Sequence, residues 1–381
     1  MKSQLFITTL KKTRVIAMIA YTELSTDARV VRTAKAAIEA GYNVDLYTLK
    51  EDNIFSIRNA NIIRSKQYQR RGNYFQYILS YLRFFLFCFF NISINYFKKK
   101  YIICHINNMP NFLVFSCIIP KLFGAKLILD IHDLMPEIFS IRNGANFKSN
   151  LMKKILFFEE RVSANFCNSI ISVTDLIEQR IRNNRIYKKY TTIMNIADIN
   201  MSNSSEEKRY NTNPVKIVYA GTISDFIYTG IDILIYAVKY LTEKTKNFKL
   251  LIYGNGSCLD DAITLCKTHN LENYISFSKH FLNIDELLHE YDDALIGIVP
   301  IRNNEVSNIS VSAKTFEYLA KKLATILPDT SFNKQHFSDC TLLFKAGDPK
   351  DLADKLCSLI QDRELLKEYS NRGFEYYLNH P

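Results

Sequence analysis

The sequence has no C-x-x-C pair among its eight scattered cysteines. A zinc ribbon or a disulfide framework is therefore not expected, and a reducing compartment fits better. There is no G-x-S-x-G elbow, no H-E-x-x-H and no kinase catalytic loop, so hydrolase and metalloprotease readings lack support. The phosphate-binding pattern G-x-x-x-x-G-K-[ST] is also missing, and "GNGSCL" from Gly254 has a G-x-G without the third glycine of a dinucleotide fingerprint. No basic low-complexity tail concentrates the formal net charge of +11. That charge does not argue for nucleic acid, and no nucleic-acid partner is expected. An anionic membrane surface or an anionic small ligand would account for it equally. Met1–Thr13 is short and basic and lacks the apolar core and small-residue cleavage site of a signal peptide, so a cytosolic location is expected.

What is present is enough for two domains. The chain has 381 residues, 48% of them hydrophobic and 23% charged, which suffices for sizeable cores. Short apolar runs alternate with helical patterns: "TRVIAMIA", "YNVDLYTL", "YIICHI", "KLILDIH", "SIISVT" and "YTTIMNI" in the first half. In "STDARVVRTAKAAIEAG", Ser25 or Thr26 can cap a helix, Val30, Ala34, Ala37 and Ile38 form its apolar stripe, and Gly41 can end it. "INMSNSSEEKRYNTNP" (Ile199–Pro214) is polar and aperiodic and reads as a linker. The alternation then restarts with "VKIVYAG", "FKLLIYGNG", "ISFSKH", "ALIGIVPI", "LATILP" and "TLLFKAGD". Such a pattern implies parallel sheets with helices on both faces, and ligands at the carboxyl ends of the strands. With two such domains facing each other, the cleft between them is the expected site.

One segment stands apart. Tyr74–Phe97, "YFQYILSYLRFFLFCFFNISINYF", leads into Lys98-Lys99-Lys100. Its charge-free part from Phe84 is shorter than the roughly twenty apolar residues that a spanning helix needs. It reads either as a core helix beside a solvated lysine run, or as an aromatic-rich helix in the membrane interface with basic flanks on anionic headgroups.

Candidate chemistry gathers at strand ends. Gly221 and Gly230 follow one strand, and Gly254 and Gly256 another; glycines there let a ligand approach the backbone, although a βα turn needs them for geometry alone. "LILDIHDLMPEIF" ends a strand with Asp130, His132, Asp133 and Glu137, a placement suited to hydrogen bonding or proton chemistry, and His105 follows a neighbouring strand. "SAKTFEYLAKK" (Ser312–Lys322) is an amphipathic helix with Phe316, Leu319 and Ala320 on its apolar face. It is either an ordinary capped helix or the floor of an anion site.

The order of these pieces resembles the retaining glycosyltransferases of the GT-B type, family 4, in particular bacterial enzymes of surface-polysaccharide assembly such as capsule or O-antigen. The matching pieces are "DARVVRTAKAAIEAGYNVDLYT", "LILDIHDLMPE", "SIISVTDLI", "TTIMNIAD", "IVYAGTISDFIYTGIDILIYA", "LLIYGNG", "LHEYDDALIGIVPI", "SAKTFEYLA" and "FKAGDPKDLADKL". The resemblance implies an α/β GT-B architecture: two Rossmann-like doubly wound domains facing a central cleft. It places an acceptor domain at 1–200, a linker at 201–214, a nucleotide-sugar domain at 215–360, and a final helix within 361–381 that crosses back to the N-terminal domain. It implies transfer of a hexose from a nucleotide-diphosphate sugar to a lipid-linked or growing glycan acceptor. The resemblance implies no metal or other cofactor. The interfacial reading of 74–100 given above adds an anionic membrane surface as a partner and a peripheral place at the inner face of the cytoplasmic membrane.

Carried over by position, the resemblance gives Glu317 the ribose hydroxyls and Lys314 the donor diphosphate. Ser312 and Ala313 open the helix beneath the phosphates, while Gly221, Thr222 and Gly254 form the loops near the donor. His132 faces the transferred sugar, and Asp27 and Arg29 lie on the acceptor side. There are departures. Ile309 stands where the first glutamate of the family's E-x₇-E motif falls. Thr222 and Thr229 replace an Arg and a Lys, so Lys314, Arg302 or Lys279 would have to supply the charge. The usual G-x-P reads Lys322-Leu323-Ala324. An alternative is therefore a nucleotide-sugar-binding or scaffold protein of the same fold without turnover.

Overall fold

The computed structural model describes residues 14–52, 55–68, 74–144, 147–196, 210, 212–282 and 284–380. Met1–Thr13 and most of the expected linker at 201–214 lie outside the described residues. Two compact units emerge. One comprises Met1–Met135, Ile155–Ser172 and Arg180–Thr192; the other comprises Pro136–Lys154, Val173–Gln179 and Ile193–Pro381.

In the first unit, seven strands form one parallel sheet: β1 (Val15–Ile19), β2 (Asn43–Thr48), β3 (Ala60–Arg64), β4 (Ile103–Asn107), β5 (Lys126–Ile131), β6 (Ser169–Ser172) and β7 (Lys189–Thr192), in the order β3-β2-β1-β4-β5-β6-β7. The apolar run of β1 is buried at every position because both sheet faces are covered. β3 has no counterpart among the runs picked from the sequence. It is an edge strand, partly exposed throughout, so it lacks a continuous apolar signature.

α1 (Ala28–Glu39) follows β1. Its cap is Asp27, whose carboxylate accepts from the Val30 N–H at 3.1 Å; Ser25 and Thr26, expected as caps, instead form a short 3-10 turn with Leu24. Val30 and Ala34 pack on Met18, Val44 and Leu46, with Ala37 and Ile38 at the margin. Gly41 (φ +85°) ends the helix in the left-handed region that glycine adopts without penalty. α2 (Tyr74–Lys99) runs the full length of the aromatic segment, and α3 (Ile118–Leu122) follows β4. α4 (Met135–Asn143), α5 (Phe147–Phe166) and α6 (Asp175–Asn183) complete the first half of the sequence.

In the second unit, six parallel strands, β8 (Val215–Ala220), β9 (Phe248–Tyr253), β10 (Ile275–Phe277), β11 (Ile296–Ile298), β12 (Ala324–Pro328) and β13 (Leu342–Phe344), take the order β10-β9-β8-β11-β12-β13. Besides α4, nearly all of which belongs to this unit, its helices include α7 (Phe226–Thr229), α8 (Ile231–Lys244), α9 (Leu259–Thr268), α10 (Ile284–Asp292), α11 (Ala313–Ala320), α12 (Ser331–His336), α13 (Pro349–Gln361) and α14 (Arg363–Asn379). Successive strand residues point to opposite faces. Ile217 accordingly joins the core under α8 and α13, and Val218 the core under α11 and α14, where Phe316, Leu319 and Tyr377 are buried. Both sheets reverse their strand order once, between β1 and β4 and between β8 and β11. In open α/β sheets, ligands bind at that reversal, beyond the carboxyl ends of the strands.

Candidate functional site

A cavity of about 220 Å³ opens at the reversal point of the second sheet. Its wall takes Gly221 and Thr222 from the end of β8, Ile298–Ile301 from β11 and the loop after it, and Ser312 and Lys314 from the start of α11. Arg142, from α4, and Tyr228 and Thr229 complete the side opposite. Among the described residues no Asp or Glu lines it, while the cations Arg142 and Lys314 do.

Glycines bring these loops together. Gly230 sits at φ +67°, and a Cβ there would lie 2.0 Å from the Pro300 carbonyl oxygen. Any other residue would strain the backbone and push the β11 loop outward. A Cβ on Gly254 would fall 1.9 Å from the Gly221 oxygen, and one on Gly256 would fall 2.4 Å from Ile223. Gly254 thus supports the Gly221 loop from behind and does not line the cavity. The Gly221 and Ile223 N–H groups already bond the carbonyls of Tyr253 and Asn255 at 3.0 Å each. Gly221 therefore contributes close approach rather than an amide to a ligand, and the loop's exposed polar group is the Thr222 side chain.

α11 is aimed at the cavity by its aromatic residues. Tyr318 accepts from the Ala220 N–H at 3.0 Å, which pins the helix over the end of β8. Gly297 in β11 leaves the space: a Cβ there would meet the Tyr318 ring at 2.5 Å. Burial pushes the Tyr318 phenol far above its ordinary range, so it stays protonated. Ser312 occupies the cap position, yet its hydroxyl bonds no helix N–H. The N–H groups of Ala313 and Lys314 belong to the first turn, which has no intrahelical partners and carries the positive end of the helix dipole.

Lys314 and Glu317 are joined. The Lys314 ammonium donates to both Glu317 carboxylate oxygens at 2.9 Å, and the Tyr291 hydroxyl donates to one of them at 3.2 Å. Glu317 is buried and lies one turn behind the cavity wall. Of the other cations suggested by the sequence, Arg302 is engaged away from the cavity: its guanidinium grips Asp232 through two nitrogens and also donates to the Phe226 carbonyl. Lys279 is exposed and does not line the cavity. Arg142 takes the place that Thr222 and Thr229 leave without charge. Its Nε is 3.4 Å from Asp225, and its guanidinium lies 5.3 Å from the Tyr228 ring centre. Thr229 donates its hydroxyl to the Asp225 carbonyl, and Asp225 in turn caps α7. Nothing in "IRNG" marked Arg142 beforehand. Its position comes from the grouping of 136–154 with the second unit. Among the described residues no acid stands in for the glutamate at the Ile309 position: the Ile309 carbonyl accepts from Thr174 at 2.6 Å, and Glu305 pairs with Lys153.

In the first unit a second polar cluster gathers at the carboxyl-terminal halves of β4 and β5 and the start of α1. Arg29 donates through Nε and Nη2 to the two oxygens of Asp130 at 3.0 and 2.8 Å, and both side chains are buried. His105 and His132 approach the same carboxylate at 3.6 and 3.7 Å, distances of electrostatic contact rather than hydrogen bonding. Burial alone would raise the Asp130 carboxyl; the two histidines and Arg29 outweigh it and hold it well below the usual range. Burial would lower the His132 imidazole, but the carboxylates of Asp130 and Asp133 raise it above its ordinary value. Arg29 is therefore spent on Asp130, and Asp27 on capping α1.

Residues 214–362 match the family model described as "Glycosyl transferases group 1". No curated protein matches the chain. Solved structures of similar fold include sucrose-phosphate synthase from Thermosynechococcus elongatus (TM-score 0.75, 15% identity, covering 96% of this chain and 94% of that one). S. aureus TarM, in complex with fondaparinux, alpha-GlcNAc-glycerol and UDP, is also similar (TM-score 0.70, 14% identity, 97% of each chain). So is the trehalose-6-phosphate protein from E. coli bound with UDP-2-fluoro glucose (TM-score 0.69, 10% identity, 96% of each chain). At these identities the likeness is one of fold, and the fold is GT-B: two parallel-sheet α/β domains.

Proposed function

We propose that this chain, which carries a glycosyltransferase domain on a GT-B fold, moves a hexose from a nucleotide-diphosphate sugar to a lipid-linked or growing glycan acceptor in polysaccharide assembly, with retention of anomeric configuration. One observation carries the donor assignment: the cavity at the β8/β11 reversal is lined by Arg142 and Lys314, by no carboxylate, and by the first turn of a helix. Such a wall favours a diphosphate through charge, dipole and hydroxyl donors together. Ser312 and Thr222 add their hydroxyls. Glu317, behind Lys314, is the proposed partner of the ribose hydroxyls, and engaging it requires the Lys314 ammonium to move from carboxylate to phosphate.

In the proposed reaction the bond between the sugar's anomeric carbon and the diphosphate oxygen breaks as charge builds on that oxygen. Lys314, Arg142 and the α11 N-terminus stabilise this charge. The acceptor hydroxyl forms the new bond from the departing side, and its proton goes to the leaving phosphate. His132, raised toward its charged form by Asp130 and Asp133, is the proposed donor to the transferred sugar. The bound neighbours support the donor class: UDP is present with TarM, and UDP-2-fluoro glucose with the trehalose-6-phosphate protein.

Titration calorimetry against a panel of nucleotide sugars, followed by mass spectrometry of transfer and hydrolysis products, tests the reading. Binding of one donor with transfer, and an NMR coupling that shows retention, is the expected result. Binding without turnover would establish the scaffold alternative, which Ile309 favours through the missing carboxylate. Absence of binding by any nucleotide sugar would overturn the site.

A further inference from the structure

α2 is apolar on the wrong side. Its buried row, Ser80, Phe84, Cys88, Ile92 and Tyr96, faces the first unit. Two residues after the first four come Leu82, Leu86, Phe90 and Ile94, and after the last Lys98, each about 200° further round the helix and so on the opposite face. A surface helix of a globular protein carries polar residues there. Here Leu86, Phe90, Ile94 and Phe97 are 50–63% exposed, and Leu122 and Phe123 at the end of α3 are 73% and 61% exposed. Phe123 stacks on Tyr96 and meets Phe97 edge-on, with ring centres 5.8 and 5.7 Å apart, which makes the surface continuous.

By length and composition Gln76–Lys99 could cross a bilayer, but it is fastened along its length. Ser80 bonds the Tyr21 hydroxyl at 2.6 Å, Asn95 donates to the Tyr47 hydroxyl at 3.0 Å, and Lys99 is bound to Asp45 at 2.6 Å. The helix lies on the fold and shows its outer face to the surroundings. Charge identifies what covers that face. Between Asp52 and Asp130 the sequence has no acidic residue and eleven Lys and Arg, as many as the formal net charge of the whole chain. Arg83, Lys98, Lys100 and Lys126 of this stretch are exposed. A second copy would bring one cationic face against another, whereas an anionic bilayer complements both the charge and the apolar row.

We propose that the outer face of α2, with Leu122 and Phe123, lies in the interface of an anionic lipid bilayer, apolar side chains among the acyl chains and Arg83, Lys98, Lys100 and Lys126 at the headgroups. This inference stands independently of the donor cavity. Lys99 takes no part, because Asp45 holds it.

Flotation of the purified full chain with vesicles of phosphatidylcholine, with and without phosphatidylglycerol, at low and high salt, tests it. The expected result is partition to the anionic vesicles that weakens with salt. Leu86→Glu with Phe90→Glu should reduce partition at least about tenfold, with circular dichroism confirming the fold. Lys98→Gln with Lys100→Gln disturbs no packing and should weaken binding about twentyfold while flattening the salt dependence. Either variant pair binding like the parent, or no partition to anionic vesicles at low salt, overturns the proposal. So does a soluble dimer that L86E/F90E splits without any vesicle binding, since a second copy would then be the occupant.

Discussion

Replacing Lys314 by alanine separates the two partners that its ammonium can serve. In the structure that ammonium is 2.9 Å from both oxygens of Glu317, and Lys314 is only 28% exposed. Removing one partner of a buried pair costs about 3–5 kcal/mol, because the other charge is stranded. Partial exposure of the lysine and the remaining Tyr291 hydroxyl reduce this to roughly 1–3 kcal/mol. A melting temperature lower by about 2–4 °C per kcal/mol follows if the second unit, about half of the chain, melts by itself. Lys314→Ala with Glu317→Gln removes the stranded charge and should recover most of the stability. Donor affinity should behave differently. One charge-assisted hydrogen bond contributes about 1.5–3 kcal/mol, and sharing with Glu317 puts the loss near the lower end, about tenfold in Kd. That loss should persist in the double variant. Glu317→Gln alone should tighten pyrophosphate, since the ammonium is released, and weaken a nucleoside diphosphate, since the ribose partner is lost. Calorimetry with both ligands and thermal melts of all four proteins complete the cycle. A double variant that binds nucleoside diphosphate like the parent would refute the placement of the phosphates against α11.

Arg142→Ala should weaken the donor about tenfold while Arg142→Lys keeps most of the affinity, read by the same calorimetry. Gly230→Ala should cost roughly 2 kcal/mol or more in chemical denaturation, from the left-handed backbone and the displaced Pro300 carbonyl, and should loosen the donor site with it. Arg29→Met leaves the Asp130 carboxylate buried beside two imidazoles and should destabilise the first unit by about 3–5 kcal/mol, measured by denaturant unfolding. Because the folded Asp130 value is depressed, its stabilisation is present above the ordinary carboxylate value of about 3.9 and is lost as pH falls through the lower folded value. Asp130→Asn should therefore flatten the acid limb of the stability profile. His132 is raised, so its share is present below about 6.5 and disappears as pH rises past the folded value. His132→Gln should remove that decline.

The parallel strands were legible because buried α/β strands are short continuous apolar runs, as in "VIAMI" and "ATILP". β3 was not, since an edge strand with half-exposed residues carries no such run. In the cavity at the β8/β11 reversal, Gly221, Thr222, Ser312 and Lys314 could be picked out because each follows a strand or opens a helix. Arg142 could not, since only tertiary grouping carries an arginine from the first half of the sequence to the second sheet. The Lys314–Glu317 pair has the helical i, i+3 spacing, but the burial that decides its energetics comes from Tyr291 and the core around it. The helix at Tyr74 was readable as apolar and basic; that its outward face is also apolar required knowing which row β1 and β2 cover.

The interlocked glycines behind the cavity have a consequence for redesign. Gly254 and Gly256 do not line the cavity, yet their missing side chains let the β9 turn nest against Gly221 and Ile223. A library that diversifies Thr222 and Ser224 to change donor preference must hold both glycines fixed. Conversely, a substitution at either should displace the backbone at Gly221 or Ile223 and so reshape the cavity wall from a layer behind it. The two turns therefore behave as one mechanical unit, and a change in either should move the other.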